Sequence, residues 1–177
     1  MREGGTMLVL VVGPSGAGKD TLLDGARMAL AGNARVRFVR RVITRPADAG
    51  GEDHEAVTET EFTTRDFALQ WQAHGLRYGI PIDILDDLGR GMTVVANVSR
   101  GVIAEAARRF SVRVIEVTAP PEVLAARLVA RGRETATDVA ARLTRAVAVP
   151  QGVEVVTVVN DGTVEQGVRA FLDALNR

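Results

Sequence analysis

The 177-residue sequence has no cysteine. Disulfides, thiolate zinc sites and a cysteine nucleophile are therefore excluded, and nothing opposes an intracellular, cytoplasmic location. Net charge is also missing. Twenty-two Lys+Arg balance 22 Asp+Glu, so no general field draws in nucleic acid. Aromatics make up only 4% of residues, with no interleaving of rings and basic side chains that would suit stacked bases. The apolar runs are far short of a membrane span. The first six residues carry one Arg, one Glu and two Gly, without the apolar region of a signal peptide. These absences lead us to expect neither nucleic acid nor membrane as a partner. Lysine is almost absent as well, and the basic side chains are nearly all arginine, the better bidentate partner for phosphate.

What is present begins at Met7-Leu8-Val9-Leu10-Val11-Val12, a six-residue apolar run with three valines that reads as a buried strand. It leads into Gly13-Pro14-Ser15-Gly16-Ala17-Gly18-Lys19-Asp20. Glycines at 13, 16 and 18 permit a tight turn that brings backbone N–H groups round an anion, and Lys19 adds a point charge at the mouth of the next helix. This is the phosphate-cradling loop of nucleoside-triphosphate enzymes, with one departure: Asp20 stands where Ser or Thr usually follows the lysine, and Thr21 comes after it. The Asp20 carboxylate has two open roles, reaching Mg²⁺ through water or favouring the helix N-terminus as an early-turn acid. A Thr21 hydroxyl displaced by one residue is rotated about 100° round the helix.

Further along, the pattern predicts a helix over 21–31, a strand over 35–43, an irregular acidic excursion over 47–58, and a helix over 61–74 capped by Thr60. His74 is read as the last residue of that helix. An extended piece at 76–80 follows, with Pro81 opening a helix to about Leu88. Then come a strand at 92–96, a helix at 100–110, a strand at 112–118 and a helix at 122–129. Beyond these lie a helix capped by Thr137 or Asp138 running to Val149, a strand at 153–159 and a helix at 164–175. Strand–helix alternation of this kind gives an α/β three-layer sandwich with a mostly parallel five-stranded core sheet. One domain, 1–177, is expected: core 7–43 and 92–177, an insertion at 44–91 and a smaller one at 131–137.

Phosphoryl transfer needs in-line placement, neutralised oxygens, usually Mg²⁺, and exclusion of water. Arginines reach toward such a task from three places: Arg41 and Arg45 before the first insertion, Arg131 and Arg133 at the second, Arg142 and Arg145 on the following helix. Arg142 and Arg145, at i,i+3, share a face and can clamp one anion. His54, beside Glu52, Asp53 and Glu55, is a candidate substrate contact, with only a weak likeness to a metal site.

In order along the chain, Gly13–Lys19, Thr44-Arg45-Pro46, Gly51-Glu52, Glu61-Phe62, Trp71, His74-Gly75, Tyr78-Gly79, Arg131-Gly132-Arg133, Arg142-Leu143 and Val159-Asn160-Asp161 resemble the guanylate kinase-like P-loop kinases over nearly the whole length. The resemblance implies ATP and Mg²⁺ as cofactors. Gly13 to Thr21 would bind the triphosphate, with Lys19, Arg131 and Arg142 catalytic, Asn160 near the adenine and Asp20 a candidate metal ligand. The segment 44–91 would close over the acceptor and 131–137 would form a lid. Arg41, Arg45 and Tyr78 would hold the acceptor's phosphate, and His54 falls at a position where the family places a phosphate-binding tyrosine. Where the family reads guanine with two carboxylates, this chain carries Gln70 and Asn97. An amide gives up a charge-assisted hydrogen bond worth ≈1.5–3 kcal/mol at each.

The wording Arg41-Val42-Ile43-Thr44-Arg45-Pro46, Gly16–Asp20 and Asn97-Val98-Ser99-Arg100-Gly101 is similar to a branch of these kinases whose small-molecule acceptor is a sugar bisphosphate. Arg100 and Arg77 are candidates for its second phosphate. A nucleoside-monophosphate kinase with altered base choice is the alternative, and a non-catalytic peptide-binding module a third reading. The oligomeric state, monomer or homodimer, stays open.

Overall fold

The apolar run at the start is β1 (Met7–Val12), the central strand of a five-stranded sheet. In this computed structural model, residues 6–14, 16–49, 52–130 and 149–177 are described. β1 lies between β7 (Thr93–Asn97) and β8 (Val112–Thr118), with β2 (Val36–Phe38) and β9 (Glu154–Val159) at the edges, and every pairing is parallel. Parallel strands are buried on both faces, which is why β1 reads as continuous valine and leucine rather than as an alternation. The three-layer α/β expectation and its parallel five-stranded core hold.

Side chains of β1 alternate between two cores. Leu8, Leu10 and Val12 pack with Val94, Ala96 and Val114 on one face, under α3 (Ile84–Gly89) and α4 (Ile103–Arg109). Val9 and Val11 face the other core, with Leu22, Leu23 and Ala26 of α1 (Lys19–Ala29) and Phe171 of α6 (Val164–Leu175). α5 (Pro121–Ala130) adds Leu124 to this second core. Gly25 lies against Val168 so closely that an added Cβ would collide with its methyls, which sets the approach of α1 to α6.

Between β2 and β7 the chain builds a second sheet of four strands, in the order β4 (Glu55–Ala56), β3 (Val42–Ile43), β6 (Leu76–Pro81), β5 (Phe67–Ala73). Four expectations change here. The strand expected over 35–43 is two strands in two sheets. Val39 still donates to Val95 on the core sheet, and Val42 and Ile43, both buried, then pair with β6. The helix expected over 61–74 is a five-residue helix α2 (Glu59–Thr63) followed by β5. Its cap is Thr58, which forms a capping box with Glu61 (not Thr60), and the helix stops before Asp66. His74 is no helix end: His74 (φ 53°) and Gly75 (φ 72°) form the two-residue turn joining β5 to β6, the positive-φ geometry that matches strand twist in tight hairpins. Pro81 ends β6 and α3 begins at Ile84, closing near Gly91 at φ 78°. The expected helix to Val149 and the 131–137 insertion lie outside the described residues.

Candidate active site

The phosphate loop is fixed by close approaches that only glycine tolerates. A Cβ on Gly13 would run into the Val117 carbonyl oxygen, and one on Gly18, at φ +85°, would sit 2.5 Å from Asn160 Nδ2. Pro14 O accepts from Ala17 N at 3.2 Å, closing the turn, and Gly18 is the N-cap of α1. Lys19 is the first residue of α1, and its side chain folds back over the loop, with Cδ 3.5 Å from where a Gly13 Cβ would be. Ser15 lies outside the described residues.

Three cations converge on this point. Burial, followed by the nearby charges of Arg41 and Arg100, pulls the Lys19 amine from its ordinary 10.5 down to about 8, with Asp20 acting in the opposite sense. Burial also lowers the Arg41 guanidinium, while Tyr78 and Asp20 pull it up. Lys19 thus feels Arg41, Arg100 and the Asp20 carboxylate together, and Asp20 also acts on Arg41. Cations brought together at such a cost make a site for an anion.

Two clefts open on either side of the loop. One, of about 330 Å³, is lined by Asp20, Leu23, Arg27, Arg41, Glu52 and Asn97, among others. The other, of about 360 Å³, is lined by Gly16, Gly18, Thr21, Arg127, Asn160 and Val164, among others. Adjacent residues Asp20 and Thr21 therefore serve different clefts, as the helical rotation between them requires.

The structure brings some of the expected residues together. Asn97, at the end of β7, donates from Nδ2 to Asp20 Oδ1 at 3.3 Å, while its own Oδ1 is buried with no partner among the described residues. Arg41 is forked onto Glu52, through Nε at 2.9 Å and through Nη2, and lies 5.0 Å over the Tyr78 ring. Tyr78 is in turn stacked on Trp71 at 5.4 Å. Arg100 faces Glu116 at 3.6 Å. Arg45 donates to the Ala49 carbonyl at 3.0 Å, which braces its own loop. Asn160 is buried and donates to Ala17 O at 2.8 Å, so it holds the phosphate loop from behind as well as lining the second cleft.

Two of the expected residues lie apart from both clefts. His54, expected to touch substrate, is 4% exposed, and both ring nitrogens are taken by main-chain carbonyls: Nδ1 with Glu52 O at 3.1 Å and Nε2 with Arg45 O at 3.0 Å. It bridges the main chain of Arg45 and Glu52, with one carbonyl accepting from the single N–H of a neutral ring. Gln70, on β5, is exposed to solvent and is not among the residues lining either cleft. Arg131 and Arg142, with Arg133 and Arg145, lie outside the described residues.

Arg127 was missed by sequence reasoning. It donates to Gly16 O at 3.0 Å and to Asn160 O at 2.9 Å, tying the phosphate loop to the loop after β9. A signal was available: Arg127 falls beside Leu124 and Leu128, the buried residues of α5, so it sits on the flank that meets the core rather than on the solvent face. Asp20 is the candidate metal ligand. No cluster of three or more His, Cys, Asp or Glu exists among the described residues. One carboxylate beside a phosphate loop suits Mg²⁺, which takes one or two carboxylates and completes its shell with phosphates and water.

No family model matches the chain. Curated relatives do. The chain is 55% identical over 170 residues to a ribose 1,5-bisphosphate phosphokinase of Acidiphilium cryptum, covering 96% of this chain and 92% of that protein. It is 54% identical over 181 residues to a bifunctional ribose 1,5-bisphosphokinase-thymidine phosphorylase of Cupriavidus pinatubonensis, spanning 99% of this chain but only 30% of that relative's length. Among solved structures, a guanylate kinase from Anaplasma phagocytophilum superposes with a TM-score of 0.66 at 19% identity, covering 97% of this chain and 85% of the other, which shows a shared fold. No helix among the described residues is long and apolar enough to cross a membrane. With a glycine-locked phosphate loop on the central strand, and identity to the Acidiphilium protein along nearly the full length of both, the chain belongs to the ribose 1,5-bisphosphate phosphokinase family.

Proposed function

We propose that the chain transfers the γ-phosphoryl group of ATP to ribose 1,5-bisphosphate, giving 5-phospho-α-D-ribose 1-diphosphate and ADP. The observation that carries this reading is the end-to-end identity with ribose 1,5-bisphosphate phosphokinases. The gathering of Lys19, Arg41 and Arg100 between two clefts gives it a physical basis.

A non-bridging oxygen of the C1 phosphate attacks the γ-phosphorus. A new P–O bond forms, the bond to the β–γ bridging oxygen breaks, and ADP leaves with the electron pair. The attacking oxygen is already ionised at neutral pH, so no general base is needed. The work left to the protein is placement and charge neutralisation.

Backbone N–H groups of Gly16 and Gly18, with Lys19, cradle the β and γ phosphates. The cleft of Thr21 and Asn160 takes the nucleoside end, and Arg127 holds that cleft to the loop. The cleft of Arg41 and Asn97 takes the sugar bisphosphate, with Arg41 and Tyr78 at one phosphate and Arg100 beside Lys19. In our reading 44–91 closes over this acceptor, 131–137 is the lid, and Arg131 and Arg142 contact the transferring phosphates. Asp20 would hold Mg²⁺, which would supply further neutralisation of phosphate charge. Asn97, an amide lining this cleft, takes away one of the carboxylates that a guanine base requires. An acceptor panel with ATP tests the reading: ribose 1,5-bisphosphate should be consumed far faster than GMP, dGMP or ribose 5-phosphate, and robust turnover of GMP with none of the ribose bisphosphate would overturn it.

A further inference from the structure

A guanidinium has two edges able to form paired hydrogen bonds: the side edge of Nε with Nη2, and the end edge of Nη1 with Nη2. On Arg41 the side edge is taken by the two carboxylate oxygens of Glu52. Tyr78 covers the guanidinium face at 5.0 Å, and Trp71 backs Tyr78 in a nearly parallel stack, 6° between planes. Nη1 has no hydrogen-bond partner among the described residues, and Arg41 lines the acceptor-side cleft. The side chain is thus held on one edge and one face, with its end edge left over.

Glu52 is itself held. Its carbonyl is in hydrogen-bond contact with His54 Nδ1, and the other His54 nitrogen meets the Arg45 carbonyl, across the loop. The neighbouring Arg40 forks onto Asp53 at 3.2 and 3.0 Å, and Glu55 N donates to Arg41 O at 2.9 Å. The segment 52–55 is therefore strapped along 40–41 by side chains and backbone together, in register with the parallel β3–β4 pair.

We propose that Glu52 is a positioning residue for the acceptor phosphate, fixing Arg41 by its side edge so that the end edge is presented to the anion, with His54 bracing Glu52 from behind. The inference rests on the proposed function for the identity of the acceptor. The competing idea, that Glu52 occupies the phosphate's place and must be expelled, predicts the opposite sign. The geometry favours positioning: Glu52 engages the edge that a phosphate approaching end-on would not use, and its main chain is anchored.

The test compares Glu52→Gln, Glu52→Asp and Arg41→Lys, singly and with Glu52→Gln combined with Arg41→Lys, in the full chain. For Glu52→Gln we expect the acceptor KM to rise about tenfold or more while the KM for ATP stays within about twofold. Glu52→Asp, which keeps the charge, should recover part of the loss. On the Arg41→Lys background, Glu52→Gln should add little, because Glu52 acts through Arg41. A lower acceptor KM in Glu52→Gln, or effects that add fully in the double variant, would overturn the proposal. Calorimetric titration with inorganic phosphate, wild type against Glu52→Gln and Glu52→Asp, reads the same anion site without turnover. Weaker phosphate binding in Glu52→Gln supports the positioning role even if ribose 1,5-bisphosphate fails as a substrate, and tighter or unchanged binding refutes it.

Discussion

Lys19 is the only lysine in the sequence, so its ionisation can be read by itself. In the free protein its amine is drawn down from 10.5 to about 8, first by burial against the phosphate loop and then by Arg41 and Arg100. That drop corresponds to about 3 kcal/mol by which the charged form is disfavoured. The folded pKa lies below the unfolded one, so between about pH 8 and pH 10.5 the unfolded chain holds a proton that the folded chain has released. The penalty is fully present below pH 8, and stability rises with pH through this window. A bound triphosphate reverses the balance, since its charge outweighs the two arginines and favours the ammonium. With lysine labelled at the ε carbon, the side chain gives a single NMR signal. Its titration midpoint should be about 8 in the free protein and should move up by one pH unit or more, on the order of the shifts opposite charges produce, when nucleotide binds. A free-protein midpoint near 10.5, or one that nucleotide leaves in place, would refute the reasoning.

Arg127→Ala removes two hydrogen bonds from a charged donor to the Gly16 and Asn160 carbonyls. At ≈1.5–3 kcal/mol for such bonds, steady-state kinetics should show the KM for ATP up about tenfold or more with the acceptor KM little changed. Gly18→Ala forces a Cβ to 2.5 Å from Asn160 Nδ2 at φ +85°, and calorimetry should find nucleotide binding lost while circular dichroism stays native. His74→Asn relieves a positive φ of 53° in the β5–β6 turn with the residue that such turns prefer before glycine. It should stabilise by about 0.5 kcal/mol, raising Tm by about 1–2 °C in a chain of this size.

Much of this architecture is written locally. β1, the glycine loop, β8 and α6 are each specified by their own periodicity and turn residues, and β8 and α6 begin and end where the pattern puts them. The second sheet was not legible for a physical reason. Phe67-Ala68-Leu69-Gln70-Trp71 carries a register irregularity between Phe67 and Leu69 that buries Ala68 and Leu69 in succession, which breaks the alternation of a half-buried strand. The two-residue β3 and β4 exist only by pairing with distant partners. His54 was read as a candidate substrate contact because it stands in a polar, acidic stretch. It is buried against the Glu52 and Arg45 carbonyls, a placement that no local pattern encodes. The amide at position 97 was legible as a substitution, whereas its contact with Asp20 depends on the parallel register of β1 and β7.

The central claim is that the acceptor is an anomeric sugar phosphate rather than a nucleotide. Phosphorus NMR of the purified chain with ATP, Mg²⁺ and ribose 1,5-bisphosphate reads this directly. The C1 phosphate monoester signal should be replaced by two mutually coupled diphosphate signals, in step with the appearance of ADP, and a parallel sample with GMP should remain unchanged. An intact C1 monoester signal alongside conversion of GMP to GDP would contradict the account.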